Sequence, residues 1–580
     1  MKSVSEKIIK KSLSIMMCLV LLLGFSGNVK AAGTGRISSN IYRQNYFLSG
    51  AVNGDNANTV TSYLMEDKDG NINRVEAFDD AVVLEIYQKE NFALLDSVSL
   101  NKELPLFGGF YAGQNYNYLV FGQHNPDEND AQEVIRIVQY DKNWRRVASD
   151  SIYGGNTTTT FGGGSLRMCE AGNMLYIRTC HEMYKTDDGC NHQANITVCY
   201  NTVTGKITDK HVVISSTETG YVSHSFNQFI IKDEDNLIFV DHGDGYPRAL
   251  FLATYSGMAG NQILNSMSNS VELITFPGDV GMNYTGASLG GLEASSTHYL
   301  VAYNSVDQQF FYGSVRNIFV AAVNKNSITQ SAIQTRQLTQ YSVSGGQSAS
   351  NPILLKVSPD EFLLMWEIYN AGEVDNVGGK PGTNTIQYVK LDGSGNPIGE
   401  IHTEKGKLSD CHPIISNGKA IWYVTSNSAP EFYQLDLNTE NLSVIASVIS
   451  GDDGSKLENG NIQATKPSVS VGLNASTSTK VTRKKPAQVS KVSVKAYKKS
   501  IHVKWKRQTA VNGGYQIQYA MNKKFTKAKR TKTVSKGNSQ KRIKNLKKNK
   551  TYYLRVRAYN YSGKKKLYGK WSKVKKVRTK

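Results

Sequence analysis

The sequence predicts an all-β protein, because three of its features agree. Its 580 residues include 50 Gly and 32 Tyr and are also rich in Asn, Ser, Thr and Val, whereas long segments with helical periodicity are rare. Short apolar segments, each with hairpin turns after it, recur through the middle of the chain. A second group of short segments with alternating polarity occupies residues 486–580. We therefore expect a repeated array of sheets followed by a β-sandwich.

The middle of the chain repeats one pattern. Six apolar segments mark the repeat, and their starts are separated by 56, 63, 62, 63 and 59 residues. They are YLVFGQ from Tyr118, MLYIRT from Met174, LIFVDH from Leu237, YLVAYN from Tyr299, FLLMWE from Phe362 and IWYVTS from Ile421. Each precedes a loop, a second strand, a tight turn and a third strand, which indicates units of about four antiparallel strands.

Units of this kind are typical of β-propellers, in which radial stacking buries both faces of every sheet. The segment before Tyr118 supplies one more unit, with strands in TVTSYLMEDKDGNIN, AVVLEIYQ and FALLDSVSL. We therefore expect residues 32–450 to form a β-propeller of seven blades.

Strand parity predicts that one face of this propeller binds the ligand. Loops between second and third strands emerge on the same face as the connections between blades, and here these loops are long and carry His, Asp and Arg. The turns on the opposite face are short. The predicted ligand-binding residues are His181, His192, His224, Asp241, His242, Asp244, Arg248 and Arg316.

The four histidines of this set leave two interpretations open. As neutral imidazoles they could coordinate a metal ion, or they could form hydrogen bonds from blade to blade. Their spacing matches no metal-binding motif, so we predict no metal and no other cofactor.

Catalysis is an alternative to binding at this face. A polysaccharide hydrolase or lyase would need two carboxyl groups at a defined separation, which spacing along the chain does not give. The sequence contains no Gly-x-Ser-x-Gly, phosphate-binding loop or His-Glu-x-x-His motif. We therefore predict no catalytic residue and favour a non-enzymatic function.

The first 31 residues have the pattern of a secretory signal peptide. Basic residues precede an apolar run over 15–25, and small residues follow at the expected cleavage point near Ala31. We expect an exported protein that is secreted and associated with the cell surface, without a membrane-spanning segment after cleavage.

Removal of the signal peptide with Cys18 leaves five cysteines, an odd number that predicts at least one free thiol. Disulfides are common in exported proteins. We predict a bridge between Cys180 and Cys190, which would hold a long loop at the ligand face, and Cys411 as a candidate for the free thiol.

Charge is distributed unevenly along the chain. Residues 486–580 contain 31 Lys and Arg and no Asp or Glu, and residues 1–31 carry a net charge of +4. Because the whole chain carries +20, the net charge of residues 32–485 is −15. The polar segment 451–485, rich in Gly, Ser and Thr, is typical of a linker between an acidic body and a basic domain.

The basic segment has seven short stretches with strand character, which predict an immunoglobulin-like sandwich. It resembles a fibronectin type III domain in its start at Pro486, its inward Trp505 and a Leu–Tyr–Val–Ala pattern. That pattern consists of Leu546, Tyr552, Val556 and Ala558, followed by Asn560. The resemblance implies a tyrosine corner at Tyr552 and a spacer or binding module without catalysis.

These features predict an exported binding or adhesion protein. The propeller face would bind a glycan or a protein, and the basic domain would attach to an anionic cell-wall polymer or glycan at the cell surface. Nucleic acid is not expected as a partner, because few aromatic residues alternate with the basic ones outside core positions.

Overall fold

The computed structural model describes residues 57–212, 220–264, 266–282, 284–309, 315–370, 383–425, 430–446, 485–508, 514–535, 539–544, 546–562 and 565–580. The chain divides into two compact units, Met1–Lys456 and Leu457–Lys580. The predicted signal peptide and the predicted linker up to residue 484 lie outside the described residues. None of the helices in the described ranges is long and apolar enough to cross a membrane.

The described residues of the N-terminal unit form seven antiparallel sheets, numbered here in chain order. Sheet 1 consists of β1 (Ser62–Glu66), β2 (Ile72–Ala77), β3 (Ala81–Tyr87) and β4 (Leu94–Asn101). Sheet 2 consists of β5 (Leu106–Ala112), β6 (Asn117–Gly122), β7 (Glu133–Tyr140) and β8 (Arg146–Tyr153). Sheet 3 consists of β9 (Thr159–Thr160), β10 (Arg167–Ala171), β11 (Met174–Lys185), β12 (Asn191–Asn201) and β13 (Lys206–His211).

The next two sheets have the same plan. Sheet 4 consists of β14 (Ser225–Asp233), β15 (Asn236–Gly243), β16 (Ala249–Tyr255) and β17 (Asn269–Thr275). Sheet 5 consists of β18 (Ala287–Ala294), β19 (His298–Ser305), β20 (Asn317–Asn324) and β21 (Gln334–Gln337), with a short 3-10 helix, Gln330–Ala332, before its last strand.

Two more sheets follow in the chain. Sheet 6 consists of β22 (Gln347–Ala349), β23 (Ile353–Ser358), β24 (Glu361–Asn370), β25 (Thr385–Asp392) and β26 (Pro397–Lys405). Sheet 7 consists of β27 (Ile414–Ser416), β28 (Lys419–Thr425), β29 (Pro430–Asp436) and β30 (Leu442–Ala446). Beside the main strand order of these sheets, β9 pairs with β11 and β23 pairs with β24.

The predicted all-β class is confirmed, and the six recurring apolar segments all lie at the same position in their sheets. They form the second main strands, β6, β11, β15, β19, β24 and β28. Each pairs with its neighbours in chain order, for example with Leu237 of β15 opposite Tyr255 of β16. The segment before Tyr118 forms sheet 1, as the sequence indicated.

Hydrophobic clusters join each sheet to the next. One cluster of buried side chains joins each pair of consecutive sheets, from sheets 1 and 2 to sheets 6 and 7. A further cluster joins sheet 7 to sheet 1 and includes Tyr87, Phe92, Tyr423 and Phe432. Both faces of these sheets are therefore covered, which explains why their second strands are apolar at consecutive positions.

Glycine permits the close approach of sheets 5 and 6. A Cβ placed on Gly290 of β18 would lie 2.3 Å from the carbonyl oxygen of Pro352, which is a backbone atom and cannot turn away. A side chain at this position would therefore push the two sheets apart.

The C-terminal unit is a sandwich of two sheets. One contains β31 (Ser493–Tyr497), β32 (Ser500–Lys504) and β35 (Gln540–Ile543). The other contains β33 (Gly514–Ala520), β34 (Arg530–Ser535), β36 (Thr551–Ser562), β37 (Lys565–Tyr568) and β38 (Lys575–Arg578). Trp505, Tyr515, Leu554 and Val556 are among the side chains buried between them.

The predicted marks of the sandwich are present in the structure. The hydroxyl of Tyr552 accepts a hydrogen bond from the backbone N–H of Lys547 over 3.0 Å, which is the contact of a tyrosine corner. The segment Lys565–Tyr568 was not predicted as a strand. It pairs with the end of β36, and an irregular stretch over 569–574 separates it from β38.

Candidate functional site

Five of the eight predicted ligand-binding residues are buried instead of lining an open face. His181, Asp241, His242, Asp244 and Arg316 have at most 1% of their surface exposed. The sequence placed them in loops, but β11 extends to Lys185 and β15 extends to Gly243, so the first three lie within strands. These five residues hold sheets and loops together and do not form the open ligand site that was expected.

The two buried histidines form hydrogen bonds to threonines in connecting segments. The Nδ1 atom of His181 lies 2.7 Å from the hydroxyl oxygen of Thr157, and Nε2 of His242 lies 2.7 Å from that of Thr285. Burial lowers the pKa of His181 to about 3, so this imidazole is neutral at physiological pH. Of the two interpretations of the histidines, these contacts fit hydrogen bonding between neighbouring segments.

Asp241 is part of a buried polar network between sheets 3 and 4. Its Oδ2 accepts a hydrogen bond from Nη2 of Arg178 over 2.6 Å, and its Oδ1 accepts one from the hydroxyl of Ser225 over 2.8 Å. The guanidinium of Arg178 also lies 4.9 Å from the ring centroid of Phe239. The carboxylate is therefore satisfied within the protein and serves the sheet interface.

Arg316 has a similar role in sheet 5. Its Nη1 donates to the hydroxyl of Ser288 over 2.7 Å and to the side-chain oxygen of Asn304 over 3.1 Å. Its backbone N–H donates to the hydroxyl oxygen of Ser348 in β22 of sheet 6. The side chain is thus directed into the sheets.

Asp244 and Arg248 fasten two loops to each other. The guanidinium of Arg248 pairs with the buried carboxylate of Asp244. It also donates two hydrogen bonds to the carbonyl of Pro277 and one of 2.7 Å to the carbonyl of Tyr284. The backbone N–H of Gly281 donates to the Asp244 carbonyl. This loop clamp, Asp244 with Arg248, holds the β17–β18 connection on the β15–β16 connection.

His192 and His224 are the predicted residues that lie side by side at the edge of the sheets. Their ring centroids are 6.2 Å apart. Nε2 of His192 lies 2.7 Å from Oδ2 of Asp188, and Nδ1 of His224 lies 4.0 Å from Oδ2 of Asp244. Burial, and to a lesser extent the neighbouring His192, lowers the pKa of His224. Only part of the predicted set therefore reaches this edge.

Exposed apolar side chains lie beside these histidines. Tyr246 is 67% exposed, Val280 64% and Met282 41%. The backbone N–H of Ser223 bonds to the carbonyl of Tyr246, and a Cβ on Gly281 would lie 3.0 Å from Cε1 of His224. We call His192, His224, Tyr246, Val280 and Met282 the loop-edge patch.

The sequence reasoning missed the three apolar members of the patch because it selected titratable residues. The available signal was the presence of Tyr and Met within polar, Gly-rich connections, where apolar residues have no core to fill. An exposed aromatic ring beside polar side chains suits the face of a sugar or a protein side chain.

The predicted disulfide is not formed. Cys180 is a buried free thiol whose Sγ contacts the Gly162 carbonyl, and Cys190 is an exposed free thiol. Cys180 lies opposite Asn195 in the β11–β12 hairpin, whereas Cys190 lies in the turn at its end, several strand positions away. Cys411 is buried, and its Sγ lies 3.7 Å from the carbonyl oxygen of His412.

Metal-binding groups are not assembled at this edge. Within the described ranges, no three His, Cys, Asp or Glu side chains are grouped so as to hold a metal ion. Each acidic residue of the predicted set is paired with an arginine, Asp241 with Arg178 and Asp244 with Arg248.

The surface of the C-terminal unit is strongly basic. Among the described residues from Lys491 to Lys580, every Lys side chain is exposed. Since residues 486–580 contain no Asp or Glu, these cations have no acidic side chain of their own domain to pair with. The like charges of such a surface repel one another.

Comparison with known proteins identifies the C-terminal domain. Residues 485–575 match the Fibronectin type III domain family, as the sequence pattern implied. A domain of this family suggests a binding or adhesion module. A search of curated proteins found no match to the chain, and no family match covers the N-terminal unit.

Solved structures resemble parts of the chain at low identity. The fn3 domain of human contactin 1 is 25% identical, covers 18% of this chain and 93% of its own, and gives a TM-score of 0.14. A putative 6-phosphogluconolactonase from Bacteroides uniformis is 12% identical, with coverages of 63% and 89% and a TM-score of 0.34. The GH43 protein BlXynB from Bacillus licheniformis is 10% identical, with coverages of 81% and 90% and a TM-score of 0.30. These likenesses carry no argument about activity.

Proposed function

We propose that this chain is an exported binding or adhesion protein with two separate contact surfaces. Its seven sheets close into a seven-bladed propeller, and the loop-edge patch binds a glycan or a protein. The basic Fibronectin type III domain attaches the molecule to an anionic polymer of the cell surface. The signal-peptide pattern of residues 1–31 supports export.

Contacts between the first and last sheets support a closed propeller. One hydrophobic cluster contains residues of both sheets, including Tyr87 and Phe432. The side chain of Asp410, just before sheet 7, accepts hydrogen bonds from the backbone N–H and the hydroxyl of Thr61, just before sheet 1. An open array would leave these two sheets with exposed apolar faces.

The observation that carries the attachment proposal is the charge of the C-terminal domain. Its 31 basic residues are accompanied by no acidic ones, while residues 32–485 carry −15. A charge needed only for solubility would not have to be of one sign within one domain. Neutralisation by a polyanion releases counterions and removes the repulsion between the cations.

Binding is a better description of the loop edge than the alternative function, a polysaccharide hydrolase or lyase. Such an enzyme needs carboxyl groups that can exchange protons with the substrate or attack it. Among the described residues of this edge, Asp244 is held by an arginine and Asp188 by His192. The exposed Tyr246 instead offers an open aromatic face.

Removal of the basic domain tests the attachment. Full-length protein and a version ending at Gly451 are compared for retention on purified cell walls across a salt series. We expect the full-length protein to bind and its affinity to fall steeply with salt, whereas the shortened version binds weakly and with little salt dependence. Equal retention of the two proteins would contradict the attachment role.

A separate experiment tests the loop-edge patch. At a salt concentration that suppresses the attachment, Tyr246→Ala is compared with Tyr153→Ala in a glycan array and in pull-downs with cell-wall extracts. Tyr153 is 55% exposed and lies on β8 of sheet 2, whereas the patch is formed by residues of sheets 3 and 4 and of their connections. We expect Tyr246→Ala to weaken binding about tenfold or more, because a stacked aromatic ring is lost. Equal behaviour of the two variants would remove the patch from the proposal.

A further inference from the structure

We propose that Arg555 and Arg557 form a phosphate-binding site of the C-terminal domain, and that its ligand is a polymer of phosphodiester-linked units. This inference rests on the proposed attachment to an anionic polymer and specifies where and how that polymer is held. The two arginines lie on β36 with their side chains on the same face of the sheet, because alternate residues of a strand share a face. Their Cα atoms are therefore about 7 Å apart.

Aromatic rings hold both guanidinium groups in place. The guanidinium carbon of Arg555 lies 4.2 Å from the ring centroid of Phe525 and 4.6 Å from that of Trp571. That of Arg557 lies 4.3 Å from Trp571 and 3.8 Å from Tyr568. We call these five residues the arginine stack. Each guanidinium contacts two rings, so both are ordered before a ligand arrives.

The irregular stretch between β37 and β38 places Trp571 in the stack. The N–H of Gly569 donates to the carbonyl of Ala558, and that of Ser572 donates to the carbonyl of Val556. The hydroxyl of Ser572 accepts a hydrogen bond of 2.9 Å from the backbone N–H of Val556. These bonds tie the stretch to β36 without continuing a regular strand, and the indole is thereby held against the two arginines.

Glutamine side chains orient the guanidinium groups within their planes. Nε and Nη2 of Arg555 donate to Oε1 of Gln518, and the same atoms of Arg557 donate to Oε1 of Gln516. In both arginines, Nη1 has no hydrogen-bond partner among the described residues. One donor group of each arginine is thus left over for an external acceptor.

The electrostatic setting favours an anion. Partial burial lowers the pKa of both arginines. The domain has no acidic side chain that could stabilise their charged form. Two partly desolvated cations without a counterion gain more from a bound phosphate than fully hydrated lysines do. Lys576 lies opposite Tyr553, the neighbouring position on the same face of β36, and continues the row of cations.

The stack fits a phosphodiester polymer without bases better than it fits a nucleic acid. Single-stranded nucleic acids gain much of their affinity from bases stacked on free aromatic faces. Here the guanidinium carbons of Arg555 and Arg557 lie 4.6 Å and 4.3 Å from the ring centroid of Trp571, so this indole already stacks on cations. The aromatic rings therefore support the arginines and leave phosphate as the group to be recognised.

The test compares variants of the full-length protein that remove equal charge from opposite sheets. Arg555→Gln with Arg557→Gln removes the stack, and Lys504→Gln with Arg542→Gln removes two exposed cations from the other sheet. Binding to immobilised poly(glycerol phosphate) is measured at several salt concentrations, with single-stranded DNA and heparin as competitors. We expect the stack variant to bind at least about tenfold more weakly than the matched control.

A conservative variant guards against loss of folding. Arg555→Lys with Arg557→Lys keeps the charge but loses the planar donor group, and we expect binding between that of the wild type and the stack variant. Equal losses in the stack variant and its control would overturn the inference and leave the attachment function standing, because the charge would then act as a diffuse coat. Stronger competition by DNA or heparin than by free poly(glycerol phosphate) would also overturn it. Absence of any binding by the wild-type protein to polymer and to cell walls would instead reject the attachment function itself.

Discussion

Arg74 is a fully buried cation at the contact between sheets 1 and 7. Its guanidinium pairs with Glu85, its Nη2 lies 3.4 Å from Oε2 of Glu76, and it lies 5.0 Å from the ring centroid of Tyr423. Burial disfavours the charge, but Tyr423 and the two carboxylates outweigh it and raise the pKa of Arg74. A charge held in this way depends on all of its partners being present.

Replacement of Arg74 by Met should be strongly destabilising. It leaves Glu76 and Glu85 buried without their cation, and we expect the free energy of unfolding to fall by about 3 kcal/mol or more. Arg145→Met is the matched control, since Arg145 pairs with Asp141 but its side chain is 76% exposed, and we expect a loss below about 1 kcal/mol. Denaturant unfolding measures both, and equal losses would contradict the role of burial.

His181 should make the stability of the N-terminal unit depend on pH. Its pKa is about 3 in the folded protein and about 6.5 when unfolded, so the stability it contributes is complete above pH 6.5 and is lost as the pH falls toward 3. We expect the contribution of His181 to lower the free energy of unfolding by on the order of 3 kcal/mol when the pH falls from 7 to 4.

The substitution His181→Asn should flatten that part of the pH profile, because the neutral amide cannot take up the proton. His192→Asn, at the partly exposed loop edge, is the control and should keep the slope. Unfolding curves at several pH values between 4 and 7 supply the comparison, and an unchanged slope in His181→Asn would refute the assignment.

At the level of elements, the connections after β15 and β17 behave as one structure because the loop clamp joins them. Arg248 reaches the carbonyls of Pro277 and Tyr284, and Asp244 receives the N–H of Gly281 at its carbonyl. Loops of this length are usually mobile when their own backbone groups are bonded only to water. The clamp therefore gives the loop-edge patch a defined shape.

Removal of the clamp should loosen these loops without unfolding the sheets. We expect Arg248→Ala to increase amide hydrogen exchange over residues 276–282 and 244–248, and to leave β15 and β16 protected. Arg336→Ala, in the exposed β21, serves as the control and should leave the loops unchanged. If exchange in the two segments stays at its wild-type rate, the clamp does not order them.

At the scale of the whole N-terminal unit, a ring and an open row of sheets lose stability differently when packing between two sheets is removed. In an open row, loss of packing between the terminal sheets would affect only those sheets. In a ring, every sheet has two neighbours, and the contact between sheets 7 and 1 is as important as any other. Phe432 is central to that contact, with its ring centroid 4.3 Å from that of Phe92 and 4.8 Å from that of Tyr87.

Truncation of Phe432 distinguishes these two arrangements. We expect Phe432→Ala to lower the free energy of unfolding by about 3–5 kcal/mol. It should also speed amide hydrogen exchange throughout the seven sheets. Phe239→Ala removes the same ring from the contact between sheets 3 and 4 and should have a similar effect. If Phe432→Ala changes exchange only in sheets 7 and 1, the ring is not closed.

The order of the sheets follows from local patterns, which is why it could be predicted. Apolar runs such as that from Leu237 and turns such as Asp392–Gly395 act through neighbouring residues, so each sheet can be located without knowledge of the others. The same is true of the sandwich, where Trp505 and Tyr552 occupy the expected core and corner positions.

The sequence alone determined that this protein is built from small antiparallel sheets and ends in a basic sandwich, because alternation, turns and charge are local properties. Only the tertiary structure decided that His181, Asp241 and Arg316 are internal, that Cys180 and Cys190 stay apart, and that Trp571 contacts two arginines. Each of these depends on where a strand ends and on what packs against it from a distant part of the chain. Such contacts leave no fixed spacing in the sequence.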